Sequence, residues 1–214
     1  MNQEHMNQEV EELFQQGIKS LQEKKYLESL EMMKVVESES PDDTAVLFCL
    51  GYLYSALGNY EKCLSSLTRM RTITKDSMSM EAWFLLALSL RVLGRNKEAE
   101  PIYDRLLAEN SESSEYFFQF ILNQIYLRGW KKALPVARKA EKLFPDEGRF
   151  LGLRKMIDFF ERGEEFLFLD IKGKAFKFAI TGKLLDIELP LFSNALYEPK
   201  TTRLVLDNFS GGVF

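Results

Sequence analysis

The side chains that could do acid–base, nucleophilic or metal chemistry are few in this chain, and their spacing does not support it. The single histidine, His5, sits in a polar N-terminal stretch, MNQEHMNQEV, with no frame to hold an imidazole against a nucleophile. Cys49 and Cys63 fall inside amphipathic helical segments, where a thiol behaves as a small buried apolar group. Two cysteines build neither a disulfide framework nor a zinc site. The carboxylate pairs are Glu164–Glu165 and Asp186 with Glu188. The second pair lies on one face of an alternating strand, with no apolar pocket to raise a carboxyl pKa. Gly211-Gly212 leads into no helix and so cannot cradle a phosphate. The expectation is a protein that is not an enzyme, with no catalytic residues, no cofactor and no metal.

The elements around these residues are mostly helices. Hydrophobic residues make up 46% of the chain and charged ones 28%, a globular balance. The net charge of −4 disfavours a sequence-independent grip on nucleic acid. No apolar run is long enough to span a membrane. The N-terminus lacks a basic-then-apolar signal, which makes the cytoplasm the expected location. From residue 10 the apolar positions recur with helical period in four segments, 10–43, 44–77, 80–113 and 114–147, about 34 residues apart. Each segment holds two amphipathic helices and a turn. Met78 and Ser79 lengthen one linker. Pro101 and Pro135 fall at equivalent places and are expected in the first turn of their helices, where a missing N–H costs nothing.

The clearest stretch is Leu47 to Tyr60, LFCLGYLYSALGNY: an apolar residue, the small Gly51, Tyr54, then a Gly58-x-Tyr60 turn. Gly17 and Ala87 hold the small position in other segments, and Trp83, Leu86, Gly94, Ala99, Tyr103, Ala133, Ala140 and Pro145 follow the same pattern. Ile121 departs from it. These residues resemble the tetratricopeptide (TPR) repeat family over about two thirds of the chain. The resemblance implies a mainly α fold, an α-solenoid of about four helix pairs, with a concave groove lined by the first helix of each pair. It implies binding of peptides or protein surfaces in that groove. Residues 148–162 read as a capping helix, with Leu151, Leu153, Met156, Ile157 and Phe160 available to cover the last pair. Residues 1–9 read as a flexible tail.

One feature exceeds the repeat pattern. Three residues before each close-packing position stands a phenylalanine: Phe14, Phe48, Phe84 and Phe118. One turn further come Ile18, Tyr52, Leu88 and Leu122. In the TPR register both rows face the groove. One reading makes them inter-helix core, as aromatic stripes usually are. The other makes them an apolar groove for hydrophobic anchors of a partner segment. Relatives that clamp a C-terminal carboxylate carry Lys and Asn here, so that activity is not expected. The groove's character is closer to TPR chaperones of bacterial secretion systems. A basic cluster, Lys131, Lys132, Arg138, Lys139 and Lys142 with Arg149, Arg154 and Lys155, reads as a solvated face or as a surface for an acidic partner. Glu11, Glu12 and Glu31 at the other end would make the molecule dipolar.

After Gly163 the period changes. EEFLFLDIKG, KAFKFAITGK, LLDIELPLF and TTRLVLDNF read as four short strands, making 163–214 a small β-rich region. Three roles are open for it. It caps the array, it lays its 189–199 segment in the chain's own groove, or it pairs an edge strand with a second copy in a homodimer. An enzyme with an unrecognised site there is the alternative from another class, and a purely structural subunit is a third.

Overall fold

A computed structural model describes residues 2–110, 112–163, 166–171 and 174–179. The chain divides into two compact units, Met1–Asn110 and Ser111–Phe214. The first contains α1 (Asn2–Gln22), α2 (Tyr26–Glu39), α3 (Thr44–Ala56), α4 (Tyr60–Thr74), α5 (Met80–Val92) and α6 (Asn96–Glu109). Each packs on the next, and α3 also touches α1 and α5, so the first helices of the three pairs lie side by side.

Local chemistry sets the boundaries. Asp43 accepts hydrogen bonds from the backbone N–H of Ala45 and Val46, Asn59 from that of Lys62, and Ser79 from that of Ala82. Each satisfies donors that the first turn of a helix leaves open. Within the pairs the turn runs through a left-handed residue: Lys24 (φ 60°), Gly58 (φ 75°) and Gly94 (φ 76°). The pairs close tightly where the small residue sits. A Cβ at Gly17 would stand 2.8 Å from Met33 Cε, and one at Gly51 would stand 2.8 Å from both Cγ and Cδ2 of Leu67. At the first pair a buried hydroxyl joins in: Ser29 Oγ donates to the Gly17 carbonyl at 2.8 Å. The core beneath is apolar, with Leu47, Leu50, Leu53, Cys63, Leu67, Ala87, Tyr103 and Leu106 buried.

The second unit contains α7 (Ser114–Tyr126), α8 (Trp130–Leu143), α9 (Gly148–Glu161) and an antiparallel hairpin of β1 (Phe166–Ile171) and β2 (Lys174–Ala179), in register from Phe166↔Ala179 to Ile171↔Lys174. Helix α8 packs on both α7 and α9, and α9 also reaches α7. Aromatic rings fill the space. Phe144 meets Phe117 edge-on at 5.7 Å and Phe150 at 5.5 Å, and Trp130 stacks on Phe160 at 5.1 Å.

Several expectations change. The residues expected as a tail lie in α1, which begins at Asn2; the stretch is rich in Gln and Glu, good helix formers, and Gln8 bonds to Glu12 one turn on. Pro101 and Pro135 are the sixth residues of α6 and α8, beyond the first turn. Both are solvent-exposed, on the side where water can serve the carbonyls they leave open. Ile121 does not loosen its pair: it is fully buried, and so is Ala137, sixteen residues on, which holds the place that Met33 and Leu67 hold opposite Gly17 and Gly51. The large and small side chains have traded sides. On α9, Phe150 and Phe159 are buried while Leu151 and Phe160 stay partly exposed. The last two expected strands, Glu164–Glu165, Asp186, Glu188 and the 189–199 segment lie outside the described residues.

Candidate protein-binding surface

Helices α1, α3 and α5 each carry an apolar pair at i and i+4: Phe14 with Ile18, Phe48 with Tyr52, Phe84 with Leu88. That spacing puts both members on one side of a helix. The core does not take them. Phe14, Ile18, Phe48, Phe84 and Leu88 are half-buried, and Tyr52 is 41% exposed. Their sequence neighbours are buried: Leu47, Cys49, Leu50 and Gly51 around Phe48, and Trp83, Leu85, Leu86 and Ala87 around Phe84. The boundary between buried and partly exposed therefore falls between adjacent residues on the same helix. Three neighbouring helices present the same row.

The stripe on α5 runs further than the sequence indicated. Val92, four residues beyond Leu88, is 43% exposed. Arg91 shares the stripe at seven residues from Phe84, and its buried Nε makes no hydrogen bond. The signal for both was available, since i+7 and i+8 continue an i, i+4 series.

In the second unit Phe118 and Leu122 hold the equivalent positions on α7 and are also half-buried. Phe118 differs in being covered. The Arg149 guanidinium lies 4.4 Å from its ring centre and is held there by Glu115 at 3.0 Å, Glu147 at 2.7 Å and Ser114 Oγ at 3.2 Å. Arg149 comes from α9, 31 residues along the chain, which is why the repeat pattern did not reveal it.

The thiols are not placed for chemistry. Burial, with the Asp43 carboxylate nearby, pushes Cys49 up to about 11, and burial raises Cys63 as well. A thiol protonated at neutral pH is a poor nucleophile and a poor metal ligand. No described helix is long and apolar enough to cross a membrane.

No protein-family profile matches the chain, and no curated protein matches it in sequence. Solved structures do match in shape. MamA from Desulfovibrio magneticus RS-1 aligns over 72% of this chain and 85% of its own at 15% identity, with a TM-score of 0.65. MamA from AMB-1 aligns over 73% and 84% at 17% identity, with a TM-score of 0.66. YrrB, a TPR protein with an unusual peptide-binding site, aligns over 72% and 78% at 14% identity, with a TM-score of 0.63. The chain has a tetratricopeptide-like fold. Within that fold α1, α3 and α5 are the first helices of the pairs in the first unit and carry the half-buried row, and α7 is the first helix of its pair in the second unit.

Proposed function

We propose that this tetratricopeptide-like chain holds a segment of a partner protein by apolar anchors against Phe14, Ile18, Phe48, Tyr52, Phe84 and Leu88, as a non-enzymatic adaptor or assembly factor in the cytoplasm. The observation that carries this reading is the row of apolar side chains left half-exposed beside fully buried neighbours. Burying such a side chain the rest of the way contributes on the order of 1 kcal/mol, so the anchors set where a segment docks while backbone and rim contacts must add the rest of the roughly 8 kcal/mol that a micromolar complex needs. The peptide-binding site of YrrB supports the assignment by analogy of fold. In the second unit, Phe118 and Leu122 offer apolar contact of their own only where a ligand displaces or stacks on Arg149.

The test is capture of partners from the native cell lysate by wild type and by Phe48→Glu/Phe84→Glu. Loss of a partner from a variant with unchanged helicity and melting temperature supports the row as the site. A partner held equally by both places binding elsewhere. A chaperone role is the narrower form of the reading. In it the captured partner is insoluble when produced alone and soluble when co-produced with this chain.

A further inference from the structure

A second surface, distinct from the half-buried row, lies on the outward faces of the second helices. Helices α2 and α8 occupy the same place in their pairs, beginning at Tyr26 and Trp130. Position by position their exposed faces are equivalent, yet they differ in charge. On α2 the acidic residues are Glu28, Glu31, Glu37 and Glu39, against the single cation Lys34. On α8 the cations are Lys131, Lys132, Arg138, Lys139 and Lys142, against the single carboxylate Glu141. Of the corresponding helices, α4 carries Lys62, Arg69 and Arg71 against Glu61, and α6 carries Glu98, Glu100, Asp104 and Glu109 against Lys97 and Arg105, smaller net imbalances than those of α8 and α2.

Neither charge set is used up inside the molecule. Arg154 takes Glu141, and Arg138 makes only a long contact of 3.5 Å to Asp158, while Lys131 and Lys142 have no ion-pair partner among the described residues. They flank a shallow hollow floored by Leu134 and Pro135. On α2, Lys34 pairs with Glu31 and Arg69 of α4 pairs with Glu37 at 2.7 Å, which leaves Glu28 and Glu39 without an ion-pair partner among the described residues. Glu28 accepts from the Ser20 hydroxyl. Each face also carries apolar side chains in water. Leu27 is 69% and Val35 52% exposed on α2, the two highest values among the large apolar side chains of the described residues, and Leu143 is 48% exposed on α8. Exposed apolar side chains set among charges give each face a surface that gains from being covered. Here the chain carries both complementary halves.

From this complementarity we infer that the chain associates with further copies of itself, the acidic α2 face of one copy docking on the basic α8 face of the next. The contact is heterologous, using different patches on the two partners, so each copy keeps one face of each kind for another neighbour. Opposite fields at the two faces also accelerate and orient the encounter. The association is a different property from the partner binding proposed above, and neither depends on the other.

Sedimentation velocity of the full chain tests this, over a concentration series reaching the hundred-micromolar range. At ionic strength of about 0.1 M, wild type gives species larger than a monomer that grow with concentration. Raising the ionic strength to about 1 M cuts the screening length from about 10 Å to about 3 Å and weakens association. Glu28→Lys/Glu31→Lys and Lys131→Glu/Lys142→Glu each weaken it by more than about tenfold, because like charges then oppose one another. Mixed in equal amounts, the two variants associate again, since each supplies a face complementary to the other. Circular dichroism confirms that both are folded, which their exposed positions favour. A wild type that stays monomeric throughout overturns the inference and leaves the α8 face for a different acidic partner. So do oligomers that persist in both variants, or a mixture that stays monomeric.

Discussion

Exchanging the Gly51 and Leu67 side chains for those of the fourth pair tests whether the exchange of large and small residues seen there is true compensation. The perturbation is Gly51→Ile with Leu67→Ala, which writes the Ile121/Ala137 arrangement into the second pair. At Gly51 a Cβ alone would stand 2.8 Å from two carbons of Leu67, against an ordinary carbon–carbon contact of about 3.5–4.0 Å. Leu67 is fully buried, so it can yield only by displacing its core neighbours. Gly51→Ile alone therefore overpacks the pair and costs about 3 kcal/mol, at the upper end of such changes. Leu67→Ala alone opens a cavity and costs about 3 kcal/mol. The double variant roughly conserves volume and loses less than about 1.5 kcal/mol. The coupling between the two sites is then at least about 4.5 kcal/mol, above the roughly 0.5–3 kcal/mol usual for residues in contact. Guanidinium unfolding followed by Trp83 emission, in a Trp130→Phe background, reads the first unit by itself. Costs that add to within about 0.5 kcal/mol would refute the reasoning, because they would mean the two positions do not share one space.

Turns, thiols and the Arg149 cluster give further tests. Lys24 and Arg128 hold left-handed turn positions at φ 60° and 54°, so Lys24→Gly and Arg128→Gly each stabilise by about 0.5–1 kcal/mol; Gly58→Ala and Gly94→Ala destabilise by a similar amount although a Cβ there meets no neighbour, as thermal melts will show. Cys49 and Cys63 resist a thiol reagent at pH 8 in the folded protein and react at once in denaturant, measured by thiol titration. The Cys49 thiol rises from 9.0 to about 11 on folding, so its contribution to stability is complete below pH 9 and is lost as pH climbs toward 11; Cys49→Ala flattens the alkaline limb of the stability curve. Arg149→Met keeps the side chain's bulk over Phe118 but loses its pairing with Glu115 and Glu147; chemical denaturation should show a loss of about 1 kcal/mol, and more would mean the pairs are better shielded than their partial exposure implies.

Where the sequence informed the fold, it did so through residues that act locally. Asp43, Asn59 and Ser79 cap their own helices, and Gly58 and Gly94 bend their own turns, so each announces itself within a few positions. The apolar pairs on the first helices were legible for a related reason: other residues already filled the core positions of the repeat, which left Phe48 and Phe84 over. What stayed hidden depends on partners far along the chain. Ile121 reads as a defect until Ala137 is seen opposite the place it fills, and Phe118 reads as free until Arg149 is seen above it. In α9 the apolar residues are dense enough that Phe150 and Leu151 are equally good candidates for burial by composition. Only the direction of the helix against α8 chooses Phe150. Opposite charge on equivalent faces of α2 and α8 was written in the sequence as two separate clusters. Their equivalence needed the helix starts.

The hydroxyl of Ser29 gives the first helix pair a property the others lack. At the matching place the later pairs carry Cys63, Ala99 and Ala133, none of which can donate a strong bond to a carbonyl. Apolar contact is indifferent to small translations, so helices joined by it alone can slip past one another at little cost. A bond from one fixed donor to the Gly17 carbonyl is not. Moving α2 along α1 by one residue, about 1.5 Å, would strand a buried hydroxyl at a cost of about 1–3 kcal/mol. Gly17 makes this possible by leaving its carbonyl uncovered on the facing side. The pair is held in one register by this buried bond, with the Ser20 hydroxyl donating to Glu28 as a second, part-buried tie between the same helices.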